Sequence, residues 1–259
     1  MAAKEPIPKG PLIRRLFLAR IPGPGQEVVL SSDERHYISQ VLRLKTGDAL
    51  ILFDGSGWEY EATVKRAGPK HVRVKIGLKR PGKAESPVQI HLGIGLLKAQ
   101  KMDWVIQKAV ELGVSSIFPV DAHRTVPRLR ADRIEQRQAR WRKIVQEACR
   151  QCGRTLIPAI HPVSPFGKIL KKGRQADVAL LFSANTDTSL DKDMRKGSLL
   201  NKEIFILVGP EGGFTTEEEQ AAFNSGFSPV TLGPRILRAE TAAIFAVGLT
   251  QFCFGDLGV

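Results

Sequence analysis

The sequence lacks long apolar runs, and it has few cysteines and an obvious shortage of acidic residues. No stretch of its 259 residues approaches the roughly 20 apolar residues that a membrane-spanning helix needs. The N-terminal residues MAAKEPIPKGPLIRR contain no apolar segment of the kind found in secretory signals. Three cysteines, Cys149, Cys152 and Cys253, cannot all pair with one another. These absences predict a protein of the reducing cytoplasm that does not associate with a membrane.

Common metal and phosphate signatures are also missing. The two glycine-rich turns discussed below match neither GxGxxG nor GxxxxGK[ST], so neither a dinucleotide cradle nor a P-loop is predicted. Cys149 and Cys152 form a CxxC, but no second ligand pair accompanies it, which favours two ordinary thiols. The five histidines lack the spacing of metal ligands; they are His36, His71, His91, His123 and His161. No metal is predicted.

Basic residues dominate the charge: 39 Lys and Arg against 26 Asp and Glu give a net charge of +13. Either a polyanionic partner or a merely basic soluble protein is consistent with this number. Residues 124–154 carry ten basic and three acidic residues, so most of these cations lack an acidic partner nearby in sequence. Arg133, Arg137 and Arg140 recur at the spacing of one helical face. Because arginine suits phosphate binding, this segment favours RNA contact over a solvated face.

The distribution of predicted elements divides the chain in two. Residues 1–80 contain short strands with turn signals, including Asp54-Gly55, and predict a compact β-barrel. Residues 81–87 have the proline, glycine and charge content of a linker. From residue 88 onward, strands alternate with long helices, which predicts an α/β domain with a parallel sheet. Within it, Trp104 is predicted in the core, and Glu111 either orients basic groups or pairs within its own helix.

Two glycine-rich turns stand out near the C-terminus. GPEGG at 209–213 follows the apolar run 204–208 and precedes the capping-box sequence TTEE. Gly233-Pro234 follows a second short strand and precedes a helix predicted from Ala239 to about Phe254. Glycines let a backbone approach a ligand closely. Two such turns after neighbouring strands predict one ligand pocket, although tight structural turns are the simpler alternative for either one alone.

Several ordered motifs resemble one known family. LVGPEGGFTTEEE followed by LGPRILRAETAAIFA is similar to the signature of the RsmE family, which consists of SPOUT-class RNA methyltransferases with a trefoil knot. RRLFLAR, HYISQVLRLKTGD and FDGSGWEYEA resemble the PUA-like N-terminal domain of the same family. The resemblance implies a PUA-like β-barrel at 1–80 and a SPOUT trefoil-knot α/β domain at 88–259. It also implies S-adenosyl-L-methionine as cofactor and N3 of a uridine in 16S ribosomal RNA as the methylated atom.

The family pattern, carried over position by position, implies a set of cofactor-binding residues. These are Phe182, Ser183, Val208, Gly209, Pro210, Glu211, Gly212, Gly213, Leu232, Gly233, Ile236, Leu237, Arg238 and Thr241. Leu232, Ile236 and Leu237 suit an adenine pocket, and Thr241 either bonds in the pocket or caps the last helix. Two positions depart from the pattern: Arg150 replaces a glutamate, and Ser183 stands where an acidic residue is common.

The implied chemistry needs a group that helps uracil N3 to lose its proton. Arg238 is the first candidate, because a cation stabilises the developing anion, and Arg15 is the second. Glu211 is either a proton acceptor or a partner of its own turn. Expected RNA contacts are Arg14, Arg15, Arg43, Lys98, Lys101, Arg124, Arg128, Arg133, Arg137, Arg140 and Arg154.

The partners implied by the family are 16S ribosomal RNA, free or in the small subunit, and a second copy of the chain. The apolar last helix either forms that dimer interface or lies in the core. Two alternatives stay open: a non-enzymatic RNA-binding assembly factor, and a methyltransferase acting on another RNA.

Overall fold

The computed structural model describes residues 14–68, 71–126, 131–190 and 202–258. The chain forms two compact units. The first ends at Ala84 and also includes the short segment Gly153–Leu156, and the second contains the remaining residues from Glu85 onward. No helix among the described residues is long and apolar enough to span a bilayer.

The first unit is built around a five-stranded sheet with the strand order β1-β3-β4-β5-β2. Strand β1 is parallel to β3, and the other pairs are antiparallel. Its elements are β1 (Arg15–Phe17), β2 (Glu27–Val29), α1 (Ser32–His36) continued by a π-helical turn (Tyr37–Val41), β3 (Ala49–Phe53), β4 (Trp58–Ala67) and β5 (Val72–Pro81). This architecture agrees with the β-rich N-terminal domain predicted from the sequence.

Local sequence signals explain where these elements begin and what they bury. The predicted cap of α1 is a complete capping box, in which Ser31 accepts from the Glu34 N–H and Glu34 accepts from the Ser31 N–H. Alternate residues of the strands point to one face, and their apolar side chains, such as Leu52, Val64 and Val74, are fully buried in the core of the unit.

One buried ion pair crosses this unit. The Arg15 guanidinium is 6% exposed and donates to Glu59 Oε2 at 2.7 Å. Arg80 donates to the other carboxylate oxygen at 2.7 Å. Burial acts to raise the pKa of the Glu59 carboxyl, but the two guanidinium groups outweigh it and hold this pKa below its ordinary value. Glu59 is therefore a stably charged partner for the buried Arg15.

The second unit is an α/β domain with an entirely parallel sheet in the order β12-β10-β11-β6-β7-β8, and β9 also pairs with β7. This confirms the predicted parallel sheet. The elements are β6 (Gln89–Gly95), α2 (Ala99–Glu111), β7 (Ser116–Asp121), α3 (Ala131–Cys152), β8 (Ala159–Ile160), β9 (Ser164–Pro165), α4 (Phe166–Gly173), β10 (Val178–Phe182), β11 (Glu203–Val208), α5 (Thr216–Asn224), β12 (Ser228–Val230) and α6 (Ala239–Phe254).

The central strands are covered on both faces. Ile204–Leu207 of β11 are 0% exposed, which is why this strand has a continuous apolar run instead of alternation. Helix α3 packs against α2 and buries Trp141. The trefoil knot that the family resemblance implies stays a prediction, and residues 191–201 between β10 and β11 lie outside the described part of the chain.

Two predictions for α2 have different outcomes. Trp104 was predicted in the core, but it is 47% exposed. The buried face of α2 contains Met102, Val105, Ile106 and Ala109, and at 100° per residue Trp104 points away from most of this face. Glu111 accepts two bonds from Lys108, at 2.9 and 2.8 Å, which is the within-helix alternative.

We expect Glu59→Gln to destabilise the first unit by about 3 kcal/mol, because it leaves the Arg15 charge buried without a countercharge. Glu61→Gln is the matched control: Glu61 is 47% exposed and binds only the outer Arg80, so its loss costs at most about 1 kcal/mol. Hydrogen exchange of strands β3 and β4 in increasing urea measures the difference. Equal protection in the two variants would contradict the role of the pair.

The same pair makes the stability depend on pH in a defined direction. The pKa of Glu59 is lower in the folded chain than its ordinary value of 4.5, so its contribution is present above that pH and is lost as the pH falls through the folded value. The difference in the free energy of unfolding between wild type and Glu59→Gln should therefore become smaller below about pH 4.5.

Candidate functional site

A cavity of about 440 Å³ opens at the carboxyl ends of β10, β11 and β12 in the second unit. Parallel strands end at the same edge of a sheet, and ligands of open α/β sheets bind outside that edge. A larger concavity of about 730 Å³ lies over strands β3, β4 and β5 of the first unit. We place the candidate site in the second unit, because polar side chains and two glycine turns converge on that cavity.

Most of the cofactor residues predicted from the sequence line this cavity. They are Phe182, Ser183, Val208, Gly209, Pro210, Glu211, Gly212, Gly213, Leu232, Gly233, Ile236, Leu237 and Arg238. Thr241 is the exception: it is exposed and does not line the cavity. The alternative prediction for Thr241 also fails, because the N-cap of α6 is Arg238 and no side chain caps this helix.

The first turn, 209–213, is tight because of its glycines. Gly213 has a φ of +68°, a left-handed conformation that favours glycine, and its N–H donates to Pro210 O at 2.9 Å. A Cβ on Gly209 would lie 3.1–3.2 Å from the backbone of residues 213 and 214. The turn therefore folds back closely on itself at the end of β11.

Gly95 at the end of β6 is a site residue that the sequence analysis missed. A Cβ at this position would lie 2.5 Å from Pro210 Cδ and 2.9 Å from the Gly209 carbonyl carbon. The absence of a side chain at Gly95 thus lets the turn lie directly against β6. The signal in the sequence was weak, since an isolated glycine in a strand indicates a bulge or a close backbone approach without naming the partner.

Arg124 holds the opposite side of the same turn. Its Nη1 donates to Gly212 O at 3.1 Å and to Phe214 O at 3.3 Å. The neighbouring His123 N–H donates to Glu218 Oε1 at 2.8 Å, which links this segment to the start of α5. Arg124 was predicted to contact RNA, but its guanidinium is engaged with the backbone of the turn.

The second turn, residues 231–238, forms the other wall. Gly233 has a φ of +101°, and its N–H donates to Thr231 Oγ1 at 3.2 Å. Ile236 was expected to help enclose an adenine ring, but it is 91% exposed. It lies at the mouth of the cavity, so the apolar wall here comes from the half-buried Leu232 and Leu237.

Arg238 also lies at the rim of the cavity, at the start of α6. Its side chain is exposed and has no hydrogen-bond or ion-pair partner in the part of the chain that the structure describes. Arg235 lines the same rim and is exposed as well. These two guanidinium groups remain available to an anionic ligand.

Lys101 on α2 lies between two carboxylates. Its Nζ is 3.4 Å from Glu211 Oε1 and 3.2 Å from Glu240 Oε2. Both Glu211 oxygens are buried and accept no hydrogen bond from the described residues. Lys101, predicted to bind RNA, is therefore used inside the protein, and Glu211 is held by an ammonium group that is distant in sequence.

A third carboxylate, Glu219 of α5, lines the cavity next to the end of β10. Ser183 Oγ donates to Glu219 Oε1 at 2.7 Å, and Asn185 Nδ2 donates to Oε2 at 3.1 Å. The acidic residue that the family resemblance suggests directly after β10 is absent at Ser183, and the carboxylate there is supplied by α5 instead. The sequence analysis missed this residue.

The remaining basic residues fall into distinct environments. Arg15 is buried against Glu59, and Arg154 is 4% exposed. Burial argues against the RNA contacts predicted for these two arginines. It also argues against the catalytic role predicted for Arg15. Arg14 pairs with Asp48 at 3.1 Å, whereas Arg43 and Lys98 are exposed.

Helix α3 presents only part of the predicted basic face. Arg140 donates to Asp103 at 2.8 Å but is 67% exposed, and Arg137 is half-buried. Arg150, where the family resemblance suggests a glutamate, pairs with Glu147 at 3.0 Å. Arg128 and the Arg133 side chain lie outside the described part of the chain.

No group of three or more His, Cys, Asp or Glu side chains suited to a metal ion is found among residues that the structure describes.

We expect Gly95→Ala to lower the free energy of unfolding by about 1–3 kcal/mol, because the new methyl group collides with backbone that has no room to move. Gly167→Ala is the matched control, since a Cβ there meets nothing within 4 Å and alanine favours the helix. Urea denaturation of both variants measures the effect. Equal stabilities would show that the turn does not depend on contact with Gly95.

The chain matches two family models. The model of an RNA methyltransferase domain covers residues 84–251, and that of an RNA methyltransferase PUA domain covers residues 30–77. The first match includes every residue that lines the cavity.

Similar proteins cover almost the whole chain. Ribosomal RNA small subunit methyltransferase E of Buchnera aphidicola (from Acyrthosiphon pisum) is 33% identical over 96% of each sequence. The crystal structure of the Neisseria gonorrhoeae protein of that name, bound to S-adenosyl methionine, is 34% identical with a TM-score of 0.86 and covers 95% of this chain and 99% of its own. A Legionella pneumophila structure in complex with the cofactor SAM is 32% identical with a TM-score of 0.87 and the same coverage. With its PUA-like first unit and SPOUT-type α/β second unit, the chain belongs to the RsmE family, the ribosomal RNA small subunit methyltransferases E.

Proposed function

We propose that this chain transfers the methyl group of S-adenosylmethionine to N3 of a uridine in 16S ribosomal RNA, acting in the cytoplasm. The observation that carries the proposal is the cavity between the two glycine turns at the carboxyl edge of the parallel sheet. Relatives with the same fold were crystallised with this cofactor. The assignment of uridine N3 as the methylated atom rests on the resemblance of the GPEGGF and RILRAETA motifs to the family sequences.

The residues present fit this cofactor. The cavity volume lies within the usual range for small-molecule sites. A Cβ at Gly95 would press on the turn that shapes the cavity, and a Cβ at Gly212 would press on Arg124, which holds that turn. Residues 209–213 and 231–233 line the cavity and would offer backbone groups to an adenine, for which Leu232 and Leu237 would supply apolar contacts. When bound, the cofactor supplies a methyl group on a sulfonium, which is electrophilic without further activation.

The chain's own task is then to place uracil N3 and to favour loss of its proton. Arg238 suits this task, because its exposed guanidinium at the cavity rim can stabilise negative charge as it develops on the base. It is always protonated and acts by charge alone. Glu211 suits a proton acceptor less well, because both of its oxygens are buried and Lys101 lies beside them. We therefore assign Glu211 to holding the turn together with Lys101.

A homodimer is part of the same proposal. One face of α6 is buried, including Ala243, Ala246 and Val247, while Phe245 and Phe252 are 49% and 55% exposed. Helix α6 thus contributes both to the core and to an apolar surface suited to a second copy. The sequence left open whether the last helix lies in the core or forms a dimer interface, and these two roles are compatible with each other.

Calorimetric titration with S-adenosylmethionine tests the cofactor site. We expect Gly212→Val to weaken binding at least about tenfold, or about 1.4 kcal/mol, because its Cβ would lie 3.1 Å from Arg124 Cβ and its branches would displace the side chain that holds the turn. Gly167→Val, on an open face of α4, should bind like wild type. If folded wild type binds RNA but no cofactor, alone or with RNA present, the assembly-factor alternative is favoured instead.

Methylation of small-subunit RNA by Arg238 variants tests the catalytic assignment. We expect Arg238→Ala to reduce kcat on the order of 100-fold, the cost of removing one group that stabilises transition-state charge, with little change in cofactor affinity. Arg174→Ala removes an exposed arginine at the end of α4 and should leave kcat unchanged. Mass-spectrometric mapping of the product nucleoside identifies the base and atom. A modified base other than uridine would redirect the proposal to another substrate.

A further inference from the structure

Glu219 differs from the other charged groups of the cavity in how it is held. Both of its oxygens accept hydrogen bonds from neutral donors on the segment after β10: Ser183 Oγ at 2.7 Å and Asn185 Nδ2 at 3.1 Å. A weaker contact of 3.4 Å joins Asn185 Nδ2 to Oε1. Because α5 and the end of β10 both position it, the carboxylate has a defined orientation.

Its charge is not compensated. No Lys, Arg or His in the described ranges lies within ion-pair distance of Glu219, whereas Glu211 across the same cavity faces Lys101 at 3.4 Å. A carboxylate offers about four acceptor positions, so the contacts with Ser183 and Asn185 leave acceptor capacity. The cavity therefore contains one oriented anion that can accept hydrogen bonds from a ligand.

We propose that Glu219 accepts hydrogen bonds from the ribose hydroxyls of the bound adenosyl ligand and so determines its preference for a ribose. This proposal rests on the proposed function. A carboxylate beside the carboxyl end of a strand in a parallel sheet is suited to this partner, because its two oxygens can accept hydrogen bonds from two vicinal hydroxyls. Glu219 is held there by Ser183 and Asn185, and no cation that would favour a phosphate lies within ion-pair distance of it among the described residues. The adenosyl ligand proposed here has such a diol and no phosphate, so it matches the uncompensated anion.

Ser183 and Asn185 act in this arrangement as positioning residues. The Ser183 N–H donates to Val230 O at 3.1 Å, which fixes the start of their segment to β12. Their side chains bind the carboxylate without neutralising it, which leaves its full charge for the ligand. Charged acceptors form stronger hydrogen bonds than neutral ones, so the contribution of Glu219 should depend on its charge.

The experiment compares two ligands and three proteins. S-adenosylhomocysteine and its 2′-deoxyribose analogue are titrated calorimetrically into full-length wild type, Glu219→Gln and Glu217→Gln. Glu217 is the matched control, because it lies on the same turn of α5 but does not line the cavity. We expect wild type and Glu217→Gln to prefer the ribose ligand about tenfold, the usual effect of one hydrogen bond to a charged group. In Glu219→Gln this preference should fall to about twofold or less.

The ratio of the affinities for the ribose and 2′-deoxyribose ligands distinguishes recognition of the ribose by Glu219 from a purely structural role of this residue. If Glu219 only ties α5 to the segment after β10, Glu219→Gln weakens both ligands equally, the preference is retained, and the proposal is overturned. Equal affinity of wild type for both ligands overturns it as well, while the cofactor site itself stands. If folded wild type binds neither ligand, the proposed function fails together with this inference.

Discussion

The close contact between the 209–213 turn and strand β6 is the constraint on which the cavity depends. Because Gly95 has no side chain, Gly209 and Pro210 lie directly against β6. On the other side, Arg124 binds the carbonyls of Gly212 and Phe214. A turn held on both sides keeps its shape in the absence of a ligand. Preorganisation of this kind reduces the entropy lost when a ligand binds.

The charged groups around the cavity are divided between fixed and available ones. Lys101 is engaged by two carboxylates and Arg124 by backbone carbonyls, so these cations set the geometry of the site. Arg235 and Arg238 at the rim are exposed. A polyanion approaching the mouth therefore meets cations that have not been used to build the site, which suits an RNA substrate outside and a compact ligand within.

Features with a strong local signal could be predicted from the sequence. The TTEE motif formed its capping box through Thr215 and Glu218, and the bounds of α6 agree with the predicted ones. Short strands such as β2, β8 and β9 could not be predicted, because two or three residues carry no periodic pattern. The glycine turns were found because glycine and proline mark turns; Gly95 was missed because its partner follows more than a hundred residues later.

Large separations in sequence also explain why the contacts of charged side chains were harder to predict than the backbone turns. Arg124 and Gly212 are 88 residues apart, and the carboxylates beside Lys101 lie on two other elements. A basic residue adds to the net charge of +13 whether it binds its own protein or remains free. The net charge is therefore consistent with a polyanionic partner but does not identify the residues that contact it. Those residues are better sought among exposed cations for which the described residues provide no partner, such as Arg238 at the cavity and Arg142 and Lys143 on α3, than among the most basic stretches of sequence.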